Sequence, residues 1–227
     1  YFAREIGIWH GLSHPHILPL LGACDKDHNG RSIRPFMVSP FMPNGTLLKF
    51  VSDTSNPRSV EEKLRLLYQV AAGMSYLHGK NIVHGDLKAA NVLLDESYRA
   101  IVTDFGLSRT KHTSASAARV HSTDISGGTH GYMAPEMLDE EPAGSSKKSD
   151  VFAFAITMYE VLNNGRVWIT KQNSPMKHIQ IISQVLQNRR PKRFDGIPDG
   201  IWALIERCWA QDPAARPTFP DILAVLQ

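Results

Sequence analysis

Residues 150–162 set the strongest limit on the fold, because apolar side chains cover every face of the helix that this segment predicts. Its most apolar part, residues 151–159, contains 9 residues, well below the roughly 20 that a helix needs to cross a bilayer. A helix of this kind has to be buried on all sides. The sequence therefore predicts a globular domain built around a central helix, with no transmembrane segment.

Residue patterns that typically begin helices occur before and after this segment. Ser59 and Glu62 have the spacing of a capping box, and the apolar face that follows ends at Gly79. Further helix starts are predicted at Ser174 with Pro175, at Asp199, and at Thr218 with Asp221. The C-terminal two thirds of the chain is therefore predicted to be mainly helical.

The N-terminal part has shorter and more varied patterns. Apolar residues at helical spacing from Phe2 to Leu12 predict a helix that breaks near Pro15. Residues 17–21 and 33–39 are β-prone and flank a turn-rich tetrapeptide, which predicts a β-hairpin. Further brief strands are predicted at residues 82–83, 92–94 and 100–103. The predicted fold class is α+β.

Charge and cysteine content limit the functional classes. Lys and Arg number 25 against 22 Asp and Glu, for a formal net charge of +3. A protein that binds nucleic acid by neutralising phosphates usually has a denser basic stripe, so no nucleic-acid partner is expected. Cys24 and Cys208 form no disulfide or metal-binding spacing. A reducing compartment is expected, which means the cytoplasm, or the intracellular face if the full-length protein is anchored to a membrane.

Two neighbouring segments carry the chemistry. Residues 84–91 read His-Gly-Asp-Leu-Lys-Ala-Ala-Asn, and after two short predicted strands Asp104-Phe105-Gly106 follows. Asp86, Asn91 and Asp104 offer hard oxygen ligands or a base, and Lys88 offers a point charge. Magnesium-assisted phosphoryl transfer requires this set of groups. A lone surface Asp is usually a solvated charge, but the order and spacing of the two segments favour a site.

In these segments the sequence resembles the eukaryotic protein kinase family, and the resemblance covers nearly the whole chain. Ala134-Pro135-Glu136 stands where the family closes its activation segment, and Ser149-Asp150-Val151 matches the start of its buried helix. Cys208-Trp209, Asp212-Pro213 and residues 216–219 look like the late helices of the tyrosine-kinase-like group. The resemblance implies a two-lobe fold. Residues 1–42 would be a partial N-lobe with helix C, the fourth and fifth strands and the hinge, and residues 43–227 a complete, mainly helical C-lobe.

The resemblance also implies ATP and Mg²⁺ as ligands and a role for each matching residue. Asp86 would be the catalytic base, Asn91 and Asp104 would hold Mg²⁺, and Lys88 would contact the γ-phosphate. Ser39 would guard the back of the adenine pocket, and Leu93 would pack beneath the adenine. Pro40, Phe41 and Met42 would form the hinge, in which Pro40 can accept but not donate a hydrogen bond.

Other matching residues would support the site. Glu5 would be the helix glutamate that pairs with a strand lysine, or else an ordinary exposed carboxylate. Thr129 would bind near the base and the lysine. Asp150 would brace the catalytic loop through backbone N–H groups, and Glu136 would form a buried ion pair with Arg216. A stack that couples helix C to the site would contain Trp9, Leu20, His84 and Phe105, which are also plausible core residues.

Two departures from the family pattern affect the expected activity. Gly85 replaces the arginine that pairs with activation-segment phosphate, so the usual coupling to phosphorylation is absent. The candidate phosphorylation sites are Thr113, Ser114, Ser116, Ser122, Thr123 and Ser126. No Gly-rich loop or strand lysine precedes Glu5, so we expect the chain to be a truncated part of a longer kinase. This residue set by itself is expected to bind ATP weakly and to transfer phosphate slowly or not at all.

The function implied by the resemblance is an ATP-dependent protein serine/threonine kinase that phosphorylates a protein hydroxyl. Lys88, together with residues 128–133, is closer to the Ser/Thr-specific pattern than to the tyrosine-specific one. A tyrosine or dual-specificity kinase is an alternative within the family. From other classes, the alternatives are a pseudokinase or scaffold module and a Mg²⁺-dependent phosphohydrolase that uses Asp86 and Asp104.

Overall fold

The α+β class predicted from the sequence is confirmed. A computed structural model describes residues 6–7, 9–105, 129–139 and 143–227. Helical residues at 6–7 and 9–10 precede a hairpin of strands β1 (Gly22–Lys26) and β2 (Ser32–Val38). The remaining elements are α1 (Leu47–Ser52), α2 (Val60–Gly79), β3 (Val92–Leu94), β4 (Ala100–Val102), α3 (Lys147–Leu162), α4 (His178–Leu186), α5 (Asp199–Cys208) and α6 (Phe219–Leu226). The described part thus has a small β-containing N-terminal portion and a mainly helical remainder.

Helix α3 forms the centre of the core, as the apolar segment predicts. Every residue from Ser149 to Leu162 is buried. Helices α1, α2 and α5 pack against α3, and α2 also packs against β4 and α6. Within the described residues, no helix is long and apolar enough to span a membrane. Neighbouring helices and turns cover α3 and keep its apolar faces away from water.

Local capping fixes the starts of several helices. Ser146 and Ser149 form a reciprocal capping box at α3, and Thr218 and Asp221 form another at α6. The Ser59 side chain accepts from the backbone N–H of Glu62 at 3.1 Å at the start of α2. The predicted helix starts at residues 59 and 218 are therefore confirmed.

The predicted helix start at Ser174 is wrong. Ser174 and Pro175 belong to a tight connection in which the Ser174 carbonyl accepts from Thr170 N–H at 2.8 Å and Pro175 bridges to Ile169. Helix α4 begins at His178, and Gln180 Oε1 accepts from the backbone N–H of Lys177 at 2.8 Å. Pairing with residues 169–170 outweighs the local preference for a cap.

The predicted hairpin is present, but its first strand lies later in the chain. Strand β1 pairs antiparallel with β2, with Gly22 opposite Val38 and Lys26 opposite Ser32. Residues 17–18 contact β4 instead, where Leu18 N–H donates to the Val102 carbonyl at 3.0 Å. The predicted strand at residues 82–83 is absent because Ile82 N–H donates to the Leu77 carbonyl and closes the end of α2.

Candidate active site

The loop that contains Asp86 is held by the first turn of α3. Asp150 is buried there, and its Oδ2 accepts from the backbone N–H of His84 and from His78 Nε2, both at 2.8 Å. Its Oδ1 accepts from the backbone N–H of Gly85 at 2.8 Å. Gly85 has a φ of 80°, in the left-handed region that favours glycine. The central helix thereby fixes the backbone that leads into Asp86.

Asp86 is the centre of a small polar cluster. Its Oδ2 accepts from Asn91 Nδ2 at 2.9 Å and from Lys88 Nζ at 3.0 Å. Asn91 Nδ2 also donates to the backbone carbonyl of Asp86 at 2.8 Å. Three side chains that the sequence singled out therefore meet within one loop, with one oxygen of Asp86 oriented by an amide and an ammonium group.

The second segment is attached directly to the first. Thr103 donates its backbone N–H and its hydroxyl to the carbonyl of Asn91, both at 3.0 Å. Asp104 follows at once, with an exposed side chain and a φ of 58°. A positive φ is uncommon outside glycine and is found at functional sites, and aspartate tolerates it better than most residues. This geometry brings the loop of Asp104 beside the loop of Asp86 and Asn91.

The donor chemistry of this region fits a magnesium ion bound together with a nucleotide. Mg²⁺ prefers oxygen ligands and is usually held by one or two protein side chains, with phosphate oxygens and water completing the coordination. Asn91 Nδ2 is committed to Asp86, so Oδ1 is the atom that this amide can offer to a cation. Asp104 supplies an exposed carboxylate in the adjoining loop.

Aromatic rings connect this loop to the N-terminal helical residues. The Phe105 ring lies edge-on to Trp9, with centroids 5.7 Å apart, and 6.4 Å from His84. Trp9 Nε1 donates to the carbonyl of Leu18 at 2.6 Å. The structure therefore brings together three of the predicted stack residues. Leu20 is half-buried, and Leu18 is the residue of its stretch that bonds to Trp9. Glu5 lies outside the described residues.

Ser39 and the predicted hinge, residues 40–42, follow β2 and lead to a turn that is attached to β3. Ser39 and Pro40 are half-buried, whereas Phe41 is 88% exposed. The Met42 carbonyl accepts from Gly45 N–H at 3.3 Å. Thr46 then bridges to Leu93, the residue predicted to lie beneath the adenine. These contacts bring the end of the hinge close to Leu93.

Glu136 and Arg216 form a bidentate ion pair. Arg216 Nη1 lies 2.7 Å from Glu136 Oε1, and Nη2 lies 2.8 Å from Oε2. Arg216 is only 1% exposed, and it also donates to the carbonyls of Ala210 and Lys148. The pair ties the turn at Pro135–Met137 to the segment before α6. None of these contacts involves Asp86, Lys88 or Asn91, so the pair is expected to act by joining two segments.

Several predicted residues fall at the edge of the described chain or beyond it. Thr129 begins a 3₁₀ turn, Thr129–Tyr132. Gly106 and the candidate phosphorylation sites between Thr113 and Ser126 lie outside the described residues.

Sequence reasoning missed a buried contact between Tyr132 and Glu160. Glu160 lies in α3, is 4% exposed, and accepts from the Tyr132 hydroxyl at 2.5 Å and from the backbone N–H of Ala89 at 3.2 Å. Burial raises the pKa of Glu160 to about 7, and burial together with the Glu160 charge raises the pKa of Tyr132. The sequence did contain a signal for this contact. Glu160 lies inside the apolar segment 150–162, and a buried carboxylate needs a hydrogen-bond partner.

Comparisons with known proteins identify the family of this chain. The family described as protein tyrosine and serine/threonine kinase matches residues 1–226. The probable serine/threonine-protein kinase SIS8 of Arabidopsis thaliana is 34% identical over 229 residues, which cover 100% of this chain and 21% of that protein. The serine/threonine-protein kinase CTR1 of the same plant is 33% identical, with coverage of 100% and 26%.

A relative from an animal gives the same result. The receptor-interacting serine/threonine-protein kinase 3 of Rattus norvegicus is 35% identical over 96% of this chain and 46% of its own length. The chain therefore spans between about a fifth and a half of the length of these three relatives.

Proposed function

Since this chain belongs to the family of protein tyrosine and serine/threonine kinases, we propose that it carries the catalytic site of an ATP-dependent protein serine/threonine kinase. The observation that carries the proposal is the attachment of the Asp104 loop to the Asp86 loop through Thr103 and the Asn91 carbonyl. This contact keeps the loop of Asp104 next to the loop that contains Asp86 and Asn91. The relatives named as serine/threonine kinases support the choice of acceptor.

Asp86 is proposed to act on the acceptor hydroxyl. Its Oδ2 is held by Asn91 and Lys88, and its Oδ1 makes no hydrogen bond to the described part of the chain. Oδ1 can therefore accept a hydrogen bond from a serine or threonine hydroxyl and take up its proton as the oxygen attacks phosphorus. The bond between the acceptor oxygen and the γ-phosphorus forms as the bond to the β–γ bridging oxygen breaks, and the leaving group is ADP.

Asn91, Asp104 and Lys88 are proposed to handle the charge of the phosphates. Asn91 Oδ1 and the Asp104 carboxylate would hold Mg²⁺, which supplies positive charge against the phosphate oxygens when it is bound. Lys88 lies beside Asp86 and would place its ammonium group near the γ-phosphate. The hydrogen bonds from the His84 and Gly85 backbone N–H groups to Asp150 would hold the loop in the position that these roles require.

The adenine end of the site is proposed to lie between the hinge and β3. Backbone groups of the hinge, residues 40–42, would bind the base, with Pro40 restricted to accepting. Ser39 would lie at the back of the adenine pocket, and Leu93 would pack against the face of the base. This assignment places a partial N-lobe and hinge in residues 1–42 and a C-lobe in residues 43–227. The turn contacts of Met42 and the bridge from Thr46 to Leu93 support the position of the boundary.

We further propose that the protein works inside the cell, on the cytoplasmic side. Its proposed substrate, ATP, is an intracellular nucleotide, and Cys24 and Cys208 are both free thiols. Burial also raises the pKa of the Cys208 thiol to about 12, which makes this thiol unreactive.

Transfer of labelled γ-phosphate from ATP to a serine- and threonine-containing peptide library tests the proposed function in the natural full-length protein. We expect Asp86→Asn to lower the rate on the order of 10²–10⁴-fold, because the base is lost while Mg²⁺-ATP still binds. Asp25→Asn, a change in strand β1 of the hairpin, is the matched control and should leave the rate unchanged.

The outcomes separate the proposed function from its alternatives. Near-normal turnover by Asp86→Asn would exclude the role assigned to Asp86. Nucleotide binding without transfer by the wild-type protein would identify a scaffold, and release of phosphate without a peptide acceptor would identify a hydrolase. Labelled phosphotyrosine in place of phosphoserine and phosphothreonine would contradict the proposed acceptor.

A further inference from the structure

Residues 13–18 attach the N-terminal portion of the chain to the helical portion. The Ser13 backbone N–H donates to the Tyr76 hydroxyl of α2 at 3.0 Å. His16 bonds to β4 twice, through Nδ1 to the Ala100 carbonyl at 2.9 Å and through its own carbonyl to Val102 N–H at 2.9 Å. Leu18 N–H then donates to the Val102 carbonyl. We call this segment with these bonds the joint.

The geometry of His14 requires a neutral ring. Its Nδ1 accepts a hydrogen bond from the backbone N–H of His16 at 3.1 Å, so this nitrogen carries no proton. The ring is stacked on Tyr76 with centroids 5.0 Å apart and an interplanar angle of 22°. A protonated imidazole has N–H groups at both positions, and the new proton would point at the His16 N–H. Protonation of His14 therefore breaks a bond inside the joint.

The geometry of His16 gives it a defined tautomer as well. A carbonyl only accepts, so Nδ1 of His16 donates to Ala100, and Nε2 is the nitrogen that takes up a proton. The His14 and His16 rings lie 5.6 Å apart. Two protonated rings at this distance would repel each other in a partly buried place.

The groups facing the two rings come from two elements besides the joint itself. Tyr76 faces the pair from α2, and Lys80 Nζ lies over that tyrosine ring, 5.9 Å from its centroid. Asp95 and Arg99, which form an ion pair, face His16 from the β3–β4 connection. Asp95 favours a charged His16, whereas Arg99 opposes it.

We propose that the joint is a pH-sensitive contact, closed when His14 and His16 are neutral and loosened when His14 takes up a proton or when both rings are charged. The contact bears on the candidate active site, because Trp9 bonds to the Leu18 carbonyl at the end of the joint and packs on Phe105. Loosening the joint would therefore release the ring that supports the loop of Asp104. The proposal concerns stability and does not depend on the proposed kinase activity.

The sign of the pH dependence follows from the burial of both rings. Burial lowers the pKa of His14 and of His16 below 6.5, and the neighbouring His16 lowers that of His14 further. The closed state thus binds fewer protons than the open state. Its stability is complete above pH 6.5, the usual value for histidine, and decreases as the pH falls toward the lowered pKa values.

Amide hydrogen exchange at Leu18 and Val102 tests the proposal on the whole chain, because both N–H groups bond across the joint. Between about pH 8 and about pH 5.5, after correction for intrinsic exchange, we expect protection to fall by up to roughly tenfold for each of the two histidines, because pH 5.5 lies about one unit below the usual histidine pKa of 6.5. Amides of α5, which lies outside the joint, are the reference, and those that exchange through local opening of that helix should change less.

Asparagine provides matched non-titrating variants. At position 14 its side-chain oxygen can accept from the N–H two residues on, and at position 16 its amide can donate to Ala100. The double variant His14→Asn with His16→Asn should keep the protection of Leu18 and Val102 nearly constant over this pH range. His28→Asn, in the exposed turn of the hairpin, should respond to pH as the wild type does.

Equal protection of the wild type at both pH values would overturn the proposal, and so would an equal pH response in the double variant. If the double variant does not fold, histidine Cε1–H titration of the wild type by NMR decides the question. Midpoints below 6.5 for His14 and His16 are expected, and midpoints at or above 6.5 for both would contradict a joint that excludes protons.

Discussion

Glu160 connects the turn Thr129–Tyr132 to the loop that contains Asp86 through a single buried carboxylate. It accepts from the Tyr132 hydroxyl, in the turn after Thr129, and from the Ala89 N–H, in the loop that contains Asp86. Both donors lose water when the site folds, so each bond is expected to contribute more than a surface contact would. The stability of this region therefore depends on one residue of α3.

Replacing Tyr132 with phenylalanine tests the strength of this contact. At about pH 8, where Glu160 is mostly ionised, we expect Tyr132→Phe to lower the free energy of unfolding by about 1.5–3 kcal/mol, because it removes a hydrogen bond to a buried charged group. Tyr159→Phe is the matched control, since the Tyr159 hydroxyl donates to the neutral carbonyl of Lys192 at 2.8 Å. This control should cost about 0.5–1.5 kcal/mol in urea unfolding. Equal losses for the two variants would contradict the assignment.

The raised pKa of Glu160 predicts a pH dependence of stability. Burial raises this pKa from 4.5 to about 7, so the folded state retains a proton that the unfolded state has lost. The stabilising effect is full below pH 4.5 and is lost as the pH rises through about 7.

Urea unfolding near pH 5 and near pH 8 measures this effect. The wild type should lose stability relative to Glu160→Gln as the pH increases, because glutamine does not titrate. Glu206→Gln, on the exposed face of α5, is the control. A constant or opposite difference between wild type and Glu160→Gln would show that the carboxylate is not held in a raised-pKa environment.

For single residues, the sequence predicted the members of the polar cluster around Asp86 but not the long-range contact between Tyr132 and Glu160. Asp86, Lys88 and Asn91 could be found because their spacing within one loop is local. Glu160 and Tyr132 lie 28 positions apart, and only the packing of α3 against the loop brings them together. Long-range contacts of this kind leave no local pattern.

At the scale of helices and strands, the N-terminal cap of α3 affects more than its own helix. The Ser146 hydroxyl accepts from Ser149 N–H at 3.1 Å, and the Ser149 hydroxyl accepts from Ser146 N–H at 2.8 Å. Because this box starts α3, it also positions Asp150, which holds the backbone at His84 and Gly85. The cap of one helix therefore supports the candidate active site.

Ser146→Ala is expected to lower the free energy of unfolding by about 1 kcal/mol, since a helix N-cap is lost. Ser145→Ala is a close control, because the Ser145 hydroxyl is buried without a hydrogen-bond partner among the described residues. Chemical unfolding of both variants should show a smaller loss for Ser145→Ala. A loss at Ser145 equal to or larger than that at Ser146 would argue against the cap.

The ion pair between Glu136 and Arg216 joins two further elements. Glu136→Gln would leave the buried Arg216 guanidinium without its counter-ion, and we expect a loss of about 3–5 kcal/mol. Asp199→Asn, which breaks the exposed pair with Arg193, should cost no more than about 1 kcal/mol. Thermal and urea unfolding compare the two. Similar losses would contradict a structural role for the buried pair.

Helices were predicted better than strands for a physical reason. The starts of α2 and α6 carry side-chain caps, and the apolar faces of α2 and α3 repeat within the element. The strands are short, and residues 17–18 contact β4 rather than the hairpin, which depends on tertiary pairing. The helix start predicted at Ser174 was wrong for the same reason. The Ser-Pro pattern that often begins a helix forms part of a turn here, because the Ser174 carbonyl bonds to the Thr170 N–H.

For the whole molecule, ordered motifs carried more information than composition. Charge and cysteine content only removed classes of function, whereas the two loop segments and the later motifs identified the family over residues 1–226. The roles proposed for Asp86, Asn91 and Asp104 depend on how the loops meet. That arrangement depends on Thr103 bonding to the Asn91 carbonyl, which no spacing in the sequence indicates.

The most direct test of the shared magnesium-nucleotide site replaces Mg²⁺ with paramagnetic Mn²⁺ in the presence of ATP and follows NMR line broadening in the natural full-length protein. The Asn91 side-chain amide and the Asp104 backbone amide should broaden together when Mn²⁺ and ATP are both present. Amides of α5 should remain sharp, and Asp104→Asn should weaken the effect. Broadening of only one of the two groups, or the same broadening without ATP, would contradict a single site shared by the two loops.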